Sequence, residues 1–204
     1  MFCRSLMPLI GGNSEQLSKL NEINDGFSGV MEHAMESMWA TKLGIASYNH
    51  DLLIKLLQLM LRTGVDYNLF FRELSSVPED MASLTKSFYY PPKAEVMTEW
   101  EAWLKTWRER IEKDAETQGD VTNAIAATAE NMRKANPKFT WREWLIVPAY
   151  KAAEKGDFTP IHELQKILTA PYDEQSKEVE NKYYQLRPLE FFSAGGVAHY
   201  SCSS

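Results

Sequence analysis

Cysteine, positive charge and long apolar runs are all scarce in this sequence of 204 residues. Its two cysteines, Cys3 and Cys202, do not make a disulfide framework, so a reducing compartment is the default expectation. Lysine and arginine number 22 against 28 acidic residues, and the net charge of −6 argues against a general nucleic-acid-binding protein. The longest apolar run, residues 52–61, is interrupted by Lys55 and Gln58 and is too short to span a membrane. We therefore expect neither nucleic acid nor a membrane among the partners.

Phosphate-binding and catalytic motifs are also missing from the sequence. The glycine pairs Gly11-Gly12 and Gly195-Gly196 lie outside any G-x-G-x-x-G or G-x-x-x-x-G-K pattern, so no backbone cradle for a triphosphate is visible. The H-R-D and D-F-G motifs of protein kinases do not occur, and no Ser-His-Asp or Cys-His nucleophile motif is recognisable. The sequence thus predicts no catalytic, cofactor-binding or metal-binding residue in this chain.

A metal site is a weak alternative, based on Glu32, His33 and Glu36 on one predicted helix. Carboxylate-bridged iron bundles use Glu-x-x-His together with further glutamates from other helices. Here the order is reversed, and no second copy of the pattern occurs. A solvated helix face is the favoured interpretation, and a metal-dependent helical-bundle enzyme stays open as an alternative.

Helical periodicity dominates what the sequence does contain, and it predicts an all-α fold. Apolar residues three and four apart indicate a long helix from an N-cap at Asn13 to a C-cap at Gly44. Gly26 and Gly29 lie inside this helix and could split it into two pieces. Further N-caps are predicted at Asn49 or Asp51 and at Asp66.

Tryptophan is well represented, and Trp100, Trp103 and Trp107 form one stripe of a predicted helix. Aromatic residues could stack on nucleic-acid bases. At helical spacing in an acidic chain, however, packing in the core or between domains is the favoured interpretation. We expect the same role for Trp141 and Trp144.

The last third of the sequence divides into a helical and an irregular part. Thr140 and Glu143 predict a capping box at the start of a helix, in which Pro148 should produce a kink. Residues 172–188 are polar and acidic and show no helical period. We therefore predict a helical region over residues 1–171, followed by an irregular acidic segment and C-terminal tail over residues 172–204.

Several uncommon residue types occur at a characteristic spacing between Asn136 and Tyr172. The runs are NPKFTWREW (136–144), AAEKGDF (152–158) and PY (171–172), preceded by VDY (65–67) and FFRELS (70–75). The chain stops at Cys202-Ser203-Ser204. In order and spacing these residues resemble the C-terminal part of the selenoprotein O family, and the resemblance covers essentially the whole chain.

This resemblance implies a parent protein with a kinase-like (pseudokinase) fold that uses ATP and Mg²⁺ or Mn²⁺. It would transfer AMP to Ser, Thr or Tyr hydroxyls of protein substrates. The family's ATP-binding, metal-binding and catalytic motifs belong to its N-terminal and central parts, so no such residue is carried over and no cofactor is expected in this chain. Cys202 stands where the family places selenocysteine or cysteine, which makes it a candidate redox residue. The implied location is cytoplasmic for a bacterial source and mitochondrial for a eukaryotic one.

The leading functional prediction is therefore structural support within a larger enzyme. The chain would be a C-terminal fragment that scaffolds N-terminal kinase-like lobes, with its Trp and Leu faces buried against those lobes, and would show no AMP transfer alone. The alternative is a free-standing, non-catalytic helical module that binds a protein partner.

Overall fold

The computed structural model describes residues 5–192, and within this range the chain forms helices and no β-strand. The predicted all-α fold is confirmed. Three short 3₁₀ helices cover Met7–Ile10, Thr85–Ser87 and Leu189–Phe192. The α-helices of the described range are α1 (Ser14–Leu43), α2 (His50–Thr63), α3 (Tyr67–Leu74), α4 (Ala94–Glu116), α5 (Val121–Ala135), α6 (Glu143–Ala153), α7 (Thr159–Leu168) and α8 (Lys177–Tyr183). None of these described helices combines the length and apolar character that crossing a lipid bilayer requires.

The helix boundaries follow the side chains that can satisfy unpaired backbone groups. Asn13 Oδ1 accepts from the amides of Glu15 and Gln16 at 3.1 and 3.2 Å, which fixes the start of α1. Asn49, rather than Asp51, caps α2. Asp66, Asp120 and Ser176 cap α3, α5 and α8 in the same way. The predicted caps at Asn13, Asn49 and Asp66 are confirmed.

Helix α1 runs unbroken for 30 residues through Gly26 and Gly29. The predicted split does not occur, because glycine lowers helix stability by about 1 kcal/mol relative to alanine but keeps the backbone donor that proline lacks. Gly44 ends the helix in the left-handed region, with φ of 67°. A Cβ at this position would lie 2.5 Å from Met132 Sδ, so glycine also allows α1 and α5 to approach closely.

The main hydrophobic cluster is built around the tryptophan stripe of α4. Trp100, Trp103 and Trp107 are at most 1% exposed, and the rings of Trp103 and Trp107 stack at 8° with centroids 6.0 Å apart. The indole nitrogens of Trp103 and Trp107 donate to the carbonyls of Leu52 and Leu43 at 2.9 and 2.8 Å. The prediction that this stripe packs in a core is confirmed. The expectation that the Trp and Leu faces await burial against other lobes is wrong, because α2, α3 and the end of α1 already cover them.

A second, smaller hydrophobic cluster joins the C-terminal helices to α3. Leu69 packs with residues of α6, α7 and α8, whereas Phe70 and Phe71 belong to the main cluster. The members of this cluster are Leu69, Phe139, Ala149, Leu164, Ile167, Tyr183 and Tyr184. Helix α3 is therefore apolar on both sides and connects the two clusters.

Two local expectations from the sequence differ from the structure. Residues 177–183 form α8, in the segment that the sequence predicts to be irregular. Seven residues make only two turns, which is too short for a helical period to show in the sequence. The capping box of Thr140 and Glu143 is wrong: α6 begins at Glu143 with Arg142 as its N-cap residue and no side-chain cap bond. Thr140 instead accepts a hydrogen bond of 2.6 Å from Asn68 Nδ2. The helix continues through Pro148.

Candidate functional site

The connector between α5 and α6, residues 136–142, holds the two clusters together. It begins at Asn136, which is 1% exposed. Its Nδ2 donates to Lys42 O at 3.0 Å and to Ser75 Oγ at 3.1 Å, while its Oδ1 accepts from Lys42 Nζ at 2.7 Å. One amide side chain thus links the ends of α1, α3 and α5 and has all of its main hydrogen-bonding groups satisfied.

Lys42 completes this junction from the end of α1. Its ammonium group lies 4.6 Å from the centroid of the Phe71 ring and 5.2 Å from that of Tyr67, which are favourable cation–π distances. Burial lowers the pKa of Lys42 because the charged form loses contact with water. The hydrogen bond to Asn136 gives the group one neutral partner in this desolvated position.

Arg72 is a cation buried on α3 at the junction of both clusters. It is 6% exposed, and its Nη1 donates to the carbonyls of Arg133 and Asn136 at 3.0 and 3.1 Å. Its Nη2 donates to Glu174 Oε1 at 2.6 Å. The guanidinium group thereby neutralises its charge and caps the end of α5 at once.

Lys138 approaches the same carboxylate from the connector. Its Nζ donates to Glu174 Oε2 at 2.5 Å and lies 3.2 Å from Glu180 Oε1. Partial burial tends to raise the pKa of Glu174, but the hydrogen bonds from Lys138 and Arg72 outweigh this and hold the pKa below its ordinary value. Glu174 therefore bridges two buried cations and ties residues after α7 to α3.

Arg142 closes the connector by pairing with Asp66. The pair is bidentate, at 2.8 Å between Arg142 Nη1 and Asp66 Oδ2 and 2.5 Å between Nη2 and Oδ1, and the Asp66 side chain is 5% exposed. Asp66 also caps α3 through Leu69 N and accepts from the Tyr89 hydroxyl at 3.1 Å. Together Asn136, Lys138, Arg142 and their partners Arg72, Asp66 and Glu174 form what we call the polar clamp.

An apolar groove of about 700 Å³ lies beside the polar clamp. Trp141 stands at its edge and is 63% exposed. Of the two roles predicted for it, packing in the core is therefore wrong, and packing between domains stays a prediction. Thr140 and Arg142 are both held inward by their hydrogen bonds, and side chains alternate in direction along an extended stretch, which turns Trp141 outward. Trp144 is half-buried. The groove is lined by Pro137, Phe139, Thr140, Trp141, Ile161, Gln165, Leu168, Thr169, Pro171 and Tyr172.

The weak metal-site alternative gains no support from the geometry. Glu32 and His33 are exposed on α1, and Glu36 is half-buried there. Over residues 5–192, no group of three or more His, Cys, Asp or Glu side chains is placed to hold a metal ion. The redox candidate Cys202 lies outside the described residues.

Sequence reasoning found the connector but missed what its residues do. Asp66 was predicted only as a helix cap, and Arg72 and Glu174 were assigned no role. A signal was present in Arg72, which is a single cation directly after Phe70 and Phe71 in a short helix. A charge at such a position, between two apolar faces, predicts a buried ion pair.

Comparison with known proteins places these features in one family. The family model described as Protein adenylyltransferase SelO matches residues 1–169. The protein nucleotidyltransferase YdiU of Azoarcus sp. strain BH72 is 30% identical over 207 residues, which cover 98% of this chain and 37% of that protein. Its counterpart in Vibrio parahaemolyticus is 29% identical over 98% of this chain and 38% of that protein, and the one in Aeromonas hydrophila is 34% identical over 86% and 34%. The chain therefore spans well under half of the length of these relatives.

Proposed function

We propose, because the chain belongs to the SelO family of protein adenylyltransferases, that it forms the C-terminal helical part of an enzyme that transfers AMP from ATP to Ser, Thr or Tyr residues of proteins. The resemblance predicted from residues 136–172 is thereby confirmed at the level of the family. The relatives are named protein nucleotidyltransferases. The transfer of AMP, the protein substrates and the use of ATP with Mg²⁺ or Mn²⁺ are our proposals for the complete protein.

The observation that carries this proposal is the unequal coverage of the alignment. Nearly all of this chain, 98%, aligns with only 37% of the Azoarcus protein. The described residues offer neither a glycine-rich loop nor a set of side chains that could hold a metal ion. We therefore assign the reaction to kinase-like lobes supplied by the rest of such a protein, and we assign no ATP-binding, metal-binding or catalytic residue to residues 5–192.

The polar clamp supports a scaffold role for this chain. Its central residues, Asn136, Lys138 and Arg142, come from the segment that carries the family resemblance, and they bond to residues of α1, α3 and the segment after α7. Positioning of reacting groups within fractions of an ångström dominates phosphoryl and nucleotidyl transfer, so a rigid supporting body contributes to rate without touching the substrate.

Cys202 is the one residue to which we assign a regulatory role in the complete protein. We hypothesise a reversible disulfide between Cys202 and a cysteine outside this chain. It would form by exchange with a low-molecular-weight disulfide, which takes up the two electrons and leaves as two thiols. Mass spectrometry of the complete protein without reductant tests this hypothesis. If Cys202 is found solely as a free thiol under oxidising conditions, the hypothesis is refuted.

The experiment that tests the proposed function uses a chimera. The Azoarcus protein, with its matching segment replaced by this chain, is incubated with α-labelled ATP, and protein-bound label is measured. We expect label in the chimera and none with this chain alone. Labelling by the chain alone would overturn the scaffold role. A chimera that folds but carries no label would contradict the proposal that this chain is part of an enzyme that transfers AMP.

A free-standing helical interaction module is the second candidate, and one observation favours it. Both hydrophobic clusters are closed within the chain, with Trp100, Trp103 and Trp107 already buried. Such a chain is expected to melt cooperatively as a monomer. A folded but inactive chimera, combined with such a melt, would select this candidate over the scaffold role.

A further inference from the structure

Helix α1 has a long middle section that is exposed in the described part of the chain. Every residue from 21 to 35 is exposed, which amounts to about four turns or ~22 Å of helix. Its C-terminal end is anchored to the main cluster, where Ala40 and Leu43 are buried and the Trp39 ring lies 6.0 Å from that of Phe71. An isolated helix of this length is marginal in water, and Gly26 and Gly29 weaken it further.

One face of this exposed stretch is apolar. At about 100° per residue its large apolar side chains fall within an arc of roughly 140°. The acidic residues Glu22, Asp25 and Glu32 fall on the opposite face by the same measure. The apolar face consists of Ile23, Phe27, Val30, Met31, Met35 and Met38, which are between 39% and 68% exposed.

We propose that the apolar face of α1 is the surface on which this chain docks against the rest of a SelO-type protein. This inference rests on the proposed function and names the contact through which the scaffold would hold the kinase-like lobes. The occupant is an apolar strip on the portion of the protein that this chain does not cover, which is about 63% of the Azoarcus relative by the coverage of 37%. Three methionines on the face are flexible side chains that fill irregular gaps against such a strip.

The exposed area favours this occupant over a second copy of the chain. From the exposed fractions, the six side chains present on the order of 600 Å², against about 800 Å² per partner in stable interfaces. A separate copy would also lose translational and rotational freedom on binding, at a cost of several kcal/mol. A strip on the same polypeptide avoids most of this cost, so a face of this size suffices there.

The first test is hydrogen exchange on the isolated chain and on the intact Azoarcus protein. We expect the amides of residues 21–35 to exchange quickly in the isolated chain. The aligned segment of the intact relative should be protected at least tenfold more strongly, because docking removes its helix from solvent. Equal and fast exchange in the two proteins would overturn the inference, and this measurement does not depend on a chimera folding.

The second test places two pairs of substitutions in the chimera. Phe27→Lys with Val30→Lys adds two positive charges to the apolar face, and Asp25→Asn with Glu32→Gln changes the net charge equally on the opposite face. We expect the first pair to abolish the protection of residues 21–35 and the second pair to preserve it. Both pairs alter exposed positions, so the melting temperature of the isolated chain should change little in either case.

The outcomes separate this inference from the proposed function. An active chimera whose residues 21–35 remain unprotected would refute the docking surface and leave the function standing. A chimera without AMP transfer, in which the protection of residues 21–35 depends on Phe27 and Val30, would refute the proposed function and leave the docking surface standing. Protection in the isolated chain that rises with concentration, together with a dimer in light scattering, would identify a second copy as the occupant and overturn the proposal.

Discussion

Breaking the pair between Asp66 and Arg142 should destabilise the protein strongly, whereas breaking an exposed pair of the same geometry should not. We choose Asp66→Asn, because asparagine is nearly isosteric and keeps an oxygen that can cap α3. The substitution removes the charge that balances the Arg142 guanidinium, whose side chain is 12% exposed. The substitution therefore measures the free-energy cost of leaving a buried cation without its partner.

The magnitude follows from the burial of both partners. Removing one member of a buried pair typically costs about 3–5 kcal/mol, because the other charge stays desolvated. For a chain of this length each kcal/mol lowers the melting temperature by roughly 2–4 °C, so we expect a decrease on the order of 6–20 °C. Urea unfolding followed by tryptophan fluorescence, which reports on the α4 stripe, measures the same change as a free energy of unfolding.

The matched control is Glu99→Gln. Glu99 binds Arg62 through two bonds of 2.7 and 2.8 Å, so its geometry is as good as that of the clamp pair. The side chains of this pair are 49% and 42% exposed, however, and water screens both charges. We expect a far smaller decrease in melting temperature. Equal effects of the two substitutions would refute the argument that burial decides the contribution of these pairs.

A double-mutant cycle separates the pair from its surroundings. Arg142→Met removes the cation but keeps an apolar stem of similar length, and it is combined with Asp66→Asn. If the pair acts as a unit, the double variant should be less destabilised than the two single variants added together, since no buried charge is left without a partner. Simple additivity would show that Asp66 acts through its cap on α3 and its bond to Tyr89 instead.

Three further predictions concern the same junction. Asn136→Ala should lower the free energy of unfolding by about 3 kcal/mol, because it removes three hydrogen bonds of about 1 kcal/mol each, two to Lys42 and one to the Ser75 hydroxyl, which keeps its bond to Phe71 O; urea unfolding measures this. Gly44→Ala should destabilise more than Gly64→Ala: both positions have φ near +60°, but only at Gly44 would the added Cβ meet Met132 at 2.5 Å, and the two melting temperatures give the comparison. The pKa of Glu174 is held below its ordinary value, so its contribution to stability is present above about pH 4.3 and is lost as the pH falls through the lower folded-state pKa. Glu174→Gln should accordingly flatten the dependence of the free energy of unfolding on pH as the pH falls below the ordinary glutamate pKa of about 4.3.

Most helices of this protein could be predicted because their signals are local, whereas the short α8 could not. Asn13 and Asp66 bond to amides two or three residues away, and the stripe from Trp100 to Trp107 shows its buried face through spacing alone. Such features depend on residues that lie within one or two helical turns of each other. Local sequence patterns, such as a hydrophobic period of 3.6 residues, therefore predict them.

The contacts of the polar clamp could not be predicted in this way, because its partners are 36 to 102 positions apart in the sequence. Composition identifies Arg72 as a cation within an apolar helix but gives no means to choose Glu174 among the 28 acidic residues. The exposure of α1 was equally hidden. Its apolar face has the spacing of a core helix, and the sequence does not reveal that the described part of the chain leaves residues 21–35 exposed.

The polar clamp gives a physical reason for the fixed spacing of residues 136–142. Asn136 and Arg142 are held at opposite ends of the connector by hydrogen bonds of 2.5 to 3.1 Å, Asn136 to Lys42 and to Ser75 at the end of α3, and Arg142 to Asp66 at the start of α3. Each residue of extended chain adds up to about 3.3–3.6 Å, so one inserted residue would displace Arg142 from Asp66 by more than a hydrogen bond tolerates. The segment by which the chain resembles its family is thus one whose length and order the packing of two clusters against α3 requires, whatever chemistry the rest of the protein performs.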